Sequence, residues 1–288
     1  MFDILASGLV MGAAYASLGI CVTLLSRMGG VVNFSQSATG LFGCYTTLVL
    51  TGTGTAIWLA VLAGILVGAI TGALSGVVMA RWFGNADIRT RSSVAIALMI
   101  GFLSLGSRIF GDKPRDAPGL FAGLHISIGN VNIAGGLVVS LLVSILLAVA
   151  LDLFITRTHS GTRLQAFAEN PLTAELIGIP SGALTVLVWM IAGAISSLAL
   201  IIIISSTARN ANYMSLSLLI IPALCASLIG GFSNFYWTLL GGLLLGLLES
   251  AVLSAPSLAP FAQVIYLPAV MLVLCWTKRK ETWDAQRA

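Results

Sequence analysis

An all-α polytopic membrane protein, a bundle of about nine transmembrane helices, is the architecture this sequence predicts. Three observations predict it. Of 288 residues, 58% are hydrophobic and only 8% charged, where soluble domains carry about a quarter charged residues. The apolar residues gather in stretches close to the roughly 20 residues that a bilayer crossing needs. The cations gather between those stretches. Mean hydropathy is +1.03, and so little polar sequence remains that residues 1–288 are expected to form a single transmembrane domain.

Nine candidate spans follow in order: 4–25, 31–50, 56–80, 94–109, 135–155, 183–205, 215–229, 238–253 and 261–276. The second opens on Asn33-Phe-Ser-Gln-Ser-Ala-Thr39, five polar side chains in seven residues. Polar groups in hydrocarbon must face a cavity or one another. The flanking Gly29, Gly30, Gly40 and Gly43 permit a broken or re-entrant helix, whose backbone groups can meet a solute at mid-membrane depth. Asn33, Ser35, Gln36, Ser37 and Thr39 are therefore candidate substrate-path residues. The third span repeats Gly64, Gly68, Gly72 and Gly76, and the eighth carries Gly241, Gly242 and Gly246. Such small-residue stripes let helices approach closely. Glu249 is the one carboxylate deep in the eighth span, and intramembrane carboxylates are functional candidates.

Lysine and arginine placement sets the orientation. With the N-terminus outside, ten cations (Arg27, Arg81, Arg89, Arg91, Arg157, Arg163, Lys278, Arg279, Lys280 and Arg287) are cytoplasmic, against four outside (Arg108, Lys113, Arg115 and Arg209). The C-terminal tail, about 277–288, is then cytoplasmic. Residues 111–119 form an outside loop with two prolines and alternating charges, continuing to 132 as a short surface strand or helix. The polar run 205–217 lies at the outer mouth, where Asn212 and Tyr213 join the candidate path and Arg209 would attract a carboxylate.

The cytoplasmic segment of about 157–182 is punctuated as two small helices. Asn170 can cap a helix with Pro171 in its first turn, and Gly178 can end it. Leu172 and Leu176 share one face, with Ala174 beside them. A short capped helix exposed on a membrane protein is a docking surface.

Several functions are excluded. Cys21, Cys44, Cys225 and Cys275 sit in apolar stretches without a Cys-x-x-Cys pair, so neither a zinc site nor a disulfide framework is indicated. The net charge of +4 is loop charge, not a nucleic-acid signal. No glycine precedes a lysine, so a phosphate-binding loop is absent, as are Gly-x-Ser-x-Gly and His-Glu-x-x-His. No catalytic set, metal site or cofactor is expected; ATP-driven transport would need a different polypeptide to hydrolyse the nucleotide. Met1-Phe2-Asp3 lacks the positive start of a cleavable leader.

The chain resembles the permease subunits of branched-chain amino-acid-type ABC importers. Three stretches carry the resemblance. Gly12-Ala-Ala-Tyr15, Asn33-Phe34 and Gly43-x-Tyr45 are similar to markers of the family's first helices. Ala166-x-Ala168-x-Asn170-Pro171, Ala174 and Gly178-Ile179 match its ATPase-docking motif. Gly230-Gly231, Gly241-Gly242 and Gly246-x-x-Glu249 complete the set. Gln165 stands where the family usually has Arg, with Arg163 two residues earlier. Ser35-Gln36-Ser37 replaces Ala-His-Gly, and Gly230-Gly-Phe-Ser-Asn-Phe-Tyr-Trp237 is bulkier than the usual turn.

The resemblance implies a multi-pass cell-membrane subunit paired with a second permease subunit, either a sister chain or itself. It implies two cytoplasmic ATP-binding subunits and an extracellular or periplasmic solute-binding protein. It makes Gly161, Arg163, Gln165, Ala166, Ala168, Asn170, Pro171, Ala174, Gly178 and Ile179 the coupling loop. The cargo would be branched-chain amino acids or, within the same family, amides, urea or aromatic acids. A standalone small-solute channel is the alternative from another class; the capped loop argues against it.

Overall fold

The computed structural model describes residues 2–30, 32–84, 86–111, 114–115, 120–121, 125–128, 131–207, 212–255 and 257–285. Twelve α-helices carry the architecture, with one hairpin. They are α1 (Phe2–Gly29), α2 (Gln36–Gly52), α3 (Ile57–Trp82), α4 (Ile88–Phe110), α5 (Gly135–Arg157), α6 (His159–Glu169), α7 (Pro171–Leu176), α8 (Ser181–Thr207), α9 (Tyr213–Ser217), α10 (Ile220–Ile229), α11 (Phe235–Leu253) and α12 (Tyr266–Ala285). Strands β1 (His125–Ile128) and β2 (Val131–Ala134) pair antiparallel ahead of α5. Most of the 111–119 loop lies outside the described residues, as does Arg209.

Among the described residues, six helices are long and apolar enough to cross a membrane: α1, α3, α4, α5, α8 and α11. The other three expected spans are shorter or interrupted, each for a local reason. Residues 31–50 become helical only at Gln36, because the Asn33 side chain accepts from the Ser35 N–H at 2.9 Å and substitutes a side-chain turn for a helical one. Residues 215–229 are split between α9 and α10. Pro222 has no N–H for the Leu218 carbonyl, and the Ile221 N–H takes that carbonyl instead at 3.0 Å. The last span opens with a 3-10 turn, Ala259–Ile265, and its apolar helical part is only Tyr266–Cys275.

Burial places α1 at the centre. Within its apolar window 89% of residues are buried, against 11% for α4 at the rim. Two close seams organise the bundle. Gly242 and Gly246 of α11 lie against Ala16 and Gly12 of α1, so these helices run antiparallel. Gly68 and Gly72 of α3 lie against Gly193 and Trp189 of α8 in the same sense. A Cβ at Gly72 would strike the Trp189 carbonyl, so only glycine allows this approach. The outward faces of α3 and α4 stay apolar, with Leu62, Leu66, Ile70, Ile100 and Ile109 exposed, as helices bordered by lipid or by another membrane chain require.

Candidate functional site

The interrupted helices meet in the middle of the bundle. Gln36, at the first turn of α2, donates through Nε2 to the Ala192 carbonyl of α8 at 2.7 Å and to the Ser196 hydroxyl. At about 1.5 Å rise per residue, Ala192 and Ser196 lie roughly 17–22 Å along the 27-residue α8, close to its midpoint. Asn33 Nδ2 donates to Gln36 Oε1 at 2.8 Å, and the Ser35 hydroxyl donates to Asn33 Oδ1 at 2.7 Å. The Thr39 hydroxyl donates to the Gln36 carbonyl at 2.9 Å. The Ser37 hydroxyl donates at 3.0 Å to the carbonyl of Ser217, the last residue of α9. The start of α2 and the α9–α10 break are thereby joined.

Asn33, Ser35, Gln36, Ser37 and Thr39 are all buried. The structure brings the five together, as expected, but satisfies them with one another and with neighbouring backbone. Asn212 caps α9, accepting from the Met214 N–H at 3.0 Å. Tyr213 is buried in a ring cluster, its centroid 4.9 Å from Tyr45, and it donates to the Phe102 carbonyl at 3.3 Å. Glu249 sits elsewhere, on the α1–α11 seam. It accepts from the Tyr15 hydroxyl and, at 2.7 Å, from the Tyr266 hydroxyl. Its partners lie on other helices, Tyr15 234 residues before it and Tyr266 17 residues after it, which is why sequence reading found none.

The expected pair of small helices is present as α6 and α7. The Thr158 hydroxyl caps α6 by accepting from the Gly161 N–H at 3.0 Å, and Asn170 caps α7 by accepting from the Thr173 N–H at 3.1 Å. Pro171 opens α7. Gly178, at φ +82°, turns the chain so that the Ile179 N–H reaches the Ala174 carbonyl at 3.0 Å. Gly161 is buried against the Phe154 and Ile155 carbonyls, while Arg163 and Ala168 are exposed and Gln165 and Ala166 half-buried. Ala174 turns inward at 2% exposure and Ile179 packs on the main core. Leu176 and Ile177 project outward at 87% and 69% exposure. The sequence did not separate these inward and outward roles.

Sequence reading missed a cavity of about 850 Å³ at the Gly29 end of the bundle. It lies among the ends of α1, α3 and α8, the start of α4, and α6 and α7. Leu25, Met79 and Trp189 give it an apolar wall; Arg81, Arg91 and Glu175 bring charge. Trp189 is one turn, roughly 4.5 Å, from the Ala192 carbonyl that holds Gln36, so this side chain stands between the cavity and the mid-bundle polar group. Arg91 donates to the Phe83 carbonyl at 3.1 Å and to the Gly84 carbonyl, clasping the α3–α4 turn. Glu175 accepts from the Ser181 hydroxyl at 2.6 Å.

The model of a family described as the branched-chain amino acid transport system, permease component, matches residues 4–275. The chain belongs to this family. The permease is 26% identical to the high-affinity branched-chain amino acid transport system permease protein LivH of Salmonella typhimurium, over 93% of this chain and 91% of that one. It is also 26% identical to the L-arabinose transport system permease protein AraH of Escherichia coli, over 92% of this chain and 79% of that one. A solved structure, PsaBC from Streptococcus pneumoniae in complex with Fab, aligns with a TM-score of 0.50 at 13% identity, covering 94% of this chain and 88% of that one; this likeness concerns the fold alone. The permease is thus a multi-pass membrane component of an ABC importer, a transport subunit and not an enzyme.

Proposed function

We propose that the permease moves branched-chain amino acids, or similar small apolar zwitterions, through the membrane of an ATP-driven importer. The observation that carries this reading is the α6–α7 pair. Its internal caps make it rigid, and its exposed Leu176 and Ile177 have no role in the permease's own core. Two ATP-binding subunits would take these side chains from the cytoplasm. A second permease subunit and a solute-binding protein on the other side of the membrane would complete the assembly.

The orientation that fits puts the Gly29 end of α1, the α6–α7 pair and the cavity in the cytoplasm, where Arg27, Arg81, Arg89, Arg91, Arg157 and Arg163 cluster. The Phe2 end is then outside. Nine crossings result when α2 with its lead-in, α9 with α10, and α12 with its 3-10 turn complete their passes. Movement of α7 passes directly into α8, and α8 carries Ala192 and Ser196, the partners of Gln36. Nucleotide-driven displacement of the coupling pair would therefore reach the middle of the bundle through one rigid helix. Asn33, Ser35, Gln36, Ser37 and Thr39 are the groups it would rearrange, with Tyr213 above them.

The LivH likeness and the scarcity of fixed charge in the bundle support an apolar amino acid. The equal identity to AraH makes a sugar the second reading. The test is ATP hydrolysis by the reconstituted complex with its cognate binding protein, supplied in turn with leucine, isoleucine, valine, arabinose, amides, urea and aromatic acids. Stimulation by the first three is expected. Stimulation by arabinose alone would transfer the cargo to the second reading.

A further inference from the structure

The cavity beneath Trp189 holds about 850 Å³, within the range of roughly 300–1,000 Å³ typical of small-molecule sites. Its wall is chemically divided. Leu25, Met79 and Trp189 form an apolar side. Arg91 is already committed to the Phe83 and Gly84 carbonyls, which leaves Arg81 as the cation exposed at the rim. Glu175 is the carboxylate, and its hydrogen-bond donor is a neutral one, the Ser181 hydroxyl at 2.6 Å. Arg81, Glu175 and an aromatic-aliphatic wall complement a molecule with a carboxylate, an ammonium and an apolar side chain, and Arg91, held by the two carbonyls, adds a second positive charge to the wall.

We propose that this cavity is a binding site for an apolar α-amino acid on the cytoplasmic side, and that its occupancy opposes docking of α7. The cytoplasmic placement rests on the orientation proposed above. The carboxylate pairs with Arg81, the ammonium with Glu175, and the side chain lies against Trp189 and Met79. Glu175 belongs to α7 and Ser181 opens α8, so their hydrogen bond spans the junction between the coupling helix and the transmembrane helix. An ammonium is a stronger partner for a carboxylate than a hydroxyl is. Solute in the cavity draws Glu175 off Ser181 and moves α7 relative to α8. Linkage makes the effect mutual: cytoplasmic solute weakens ATPase engagement, and ATPase engagement weakens solute binding. Accumulated product thereby slows its own import.

The test is equilibrium binding of radiolabelled leucine to the purified permease–ATPase complex without the binding protein. Saturable leucine binding is expected, with no binding of isovalerate, which lacks the ammonium, or of isoamylamine, which lacks the carboxylate. Arg81→Gln and Glu175→Gln should each weaken leucine binding by about tenfold or more, as loss of a charge-assisted contact does. Arg81 lies on α3, outside the coupling pair, so this variant decides the matter even where Glu175→Gln impairs assembly. In proteoliposomes with the ATPases facing out, external leucine should slow hydrolysis by the wild type and not by Arg81→Gln. Absence of saturable binding, or equal binding by wild type and Arg81→Gln, overturns the site; unslowed hydrolysis overturns the coupling. The import reading fails separately. Hydrolysis stimulated by leucine and binding protein without cavity binding refutes only the site, while cavity binding without stimulation supports the site and refutes leucine as cargo.

Discussion

Two polar regions lie along α8 on either side of Trp189. Around Ala192 and Ser196, the side chains of Asn33, Ser35, Gln36, Ser37 and Thr39 are buried and bonded to one another or to neighbouring backbone. On the other side of Trp189, Arg81, Arg91 and Glu175 border an open volume of about 850 Å³. The first region has neutral groups and no space; the second has charge and room. Neutral polar groups can be packed away by bonding one another, whereas ions far from water need strong partners. Polarity therefore marks two different things here, a clasp buried at mid-helix that fixes the start of α2 and a chamber with exposed charge at the Gly29 end of the bundle.

Asn33→Leu breaks the clasp most severely. It strands the Ser35 N–H, the Ser35 hydroxyl and Gln36 Oε1. At about 1–3 kcal/mol per stranded buried group, a loss of roughly 3 kcal/mol or more is expected, read as a lower thermal midpoint of the purified permease together with lost uptake. Unchanged stability would show that the clasp is dispensable.

Ala174→Arg comes next. A large side chain at a position 2% exposed should cost about 1–3 kcal/mol and dislodge α7 from within. Leu176→Asp sharpens the contrast. At 87% exposure it should change permease stability by no more than about 0.5 kcal/mol while abolishing co-purification of the ATPases. Co-purification at the wild-type level would remove α7 from the docking surface.

The smallest effect lies at the rim of the chamber. Asp87 caps α4, and the Thr90 hydroxyl and N–H hold its carboxyl below the usual carboxylate range. A depressed native pKa stabilises the cap above the unfolded-state value, near pH 4, and that contribution fades as pH falls through the native value. Asp87→Asn keeps a capping oxygen but removes the titrating carboxyl, so it should flatten the acid limb of the permease's stability profile slightly; an unaltered limb would show that Asp87 does not contribute to it.

Much of this fold was legible in the sequence, because long apolar runs and glycine stripes are local patterns. The α6–α7 pair was legible for the same reason: Asn170, Pro171 and Gly178 act on residues three or four positions away. The five-residue polar run at 33–39 was found as well, but whether it faced space or itself depends on Ser196 and Ser217, over 150 residues away. The Glu249 site was hidden because Tyr15 lies 234 residues before it and Tyr266, 17 residues after it, belongs to another helix. The chamber was invisible because six helices that are scattered in the chain enclose it, and no spacing rule relates Arg81 to Glu175. Among the described residues six of the expected passes are long helices and the other three are short or interrupted; in two of these, Asn33 and Pro222 redirect backbone hydrogen bonds that hydropathy does not register.

The burial of α1 bears on how the protein is made. The first helix to leave the ribosome is the most enclosed, and the Tyr15 hydroxyl meets its acceptor on Glu249, 234 residues later. At about 5–20 residues per second, α1 waits on the order of 12–47 s in the bilayer before α11 exists. During that interval Tyr15 and Thr23 face lipid or an insertion factor instead of Glu249, Ser227 and Thr238 on α10 and α11. Nascent chains arrested before residue 235 should therefore remain bound to the insertion machinery, and release should coincide with synthesis of the eighth apolar segment, not the first.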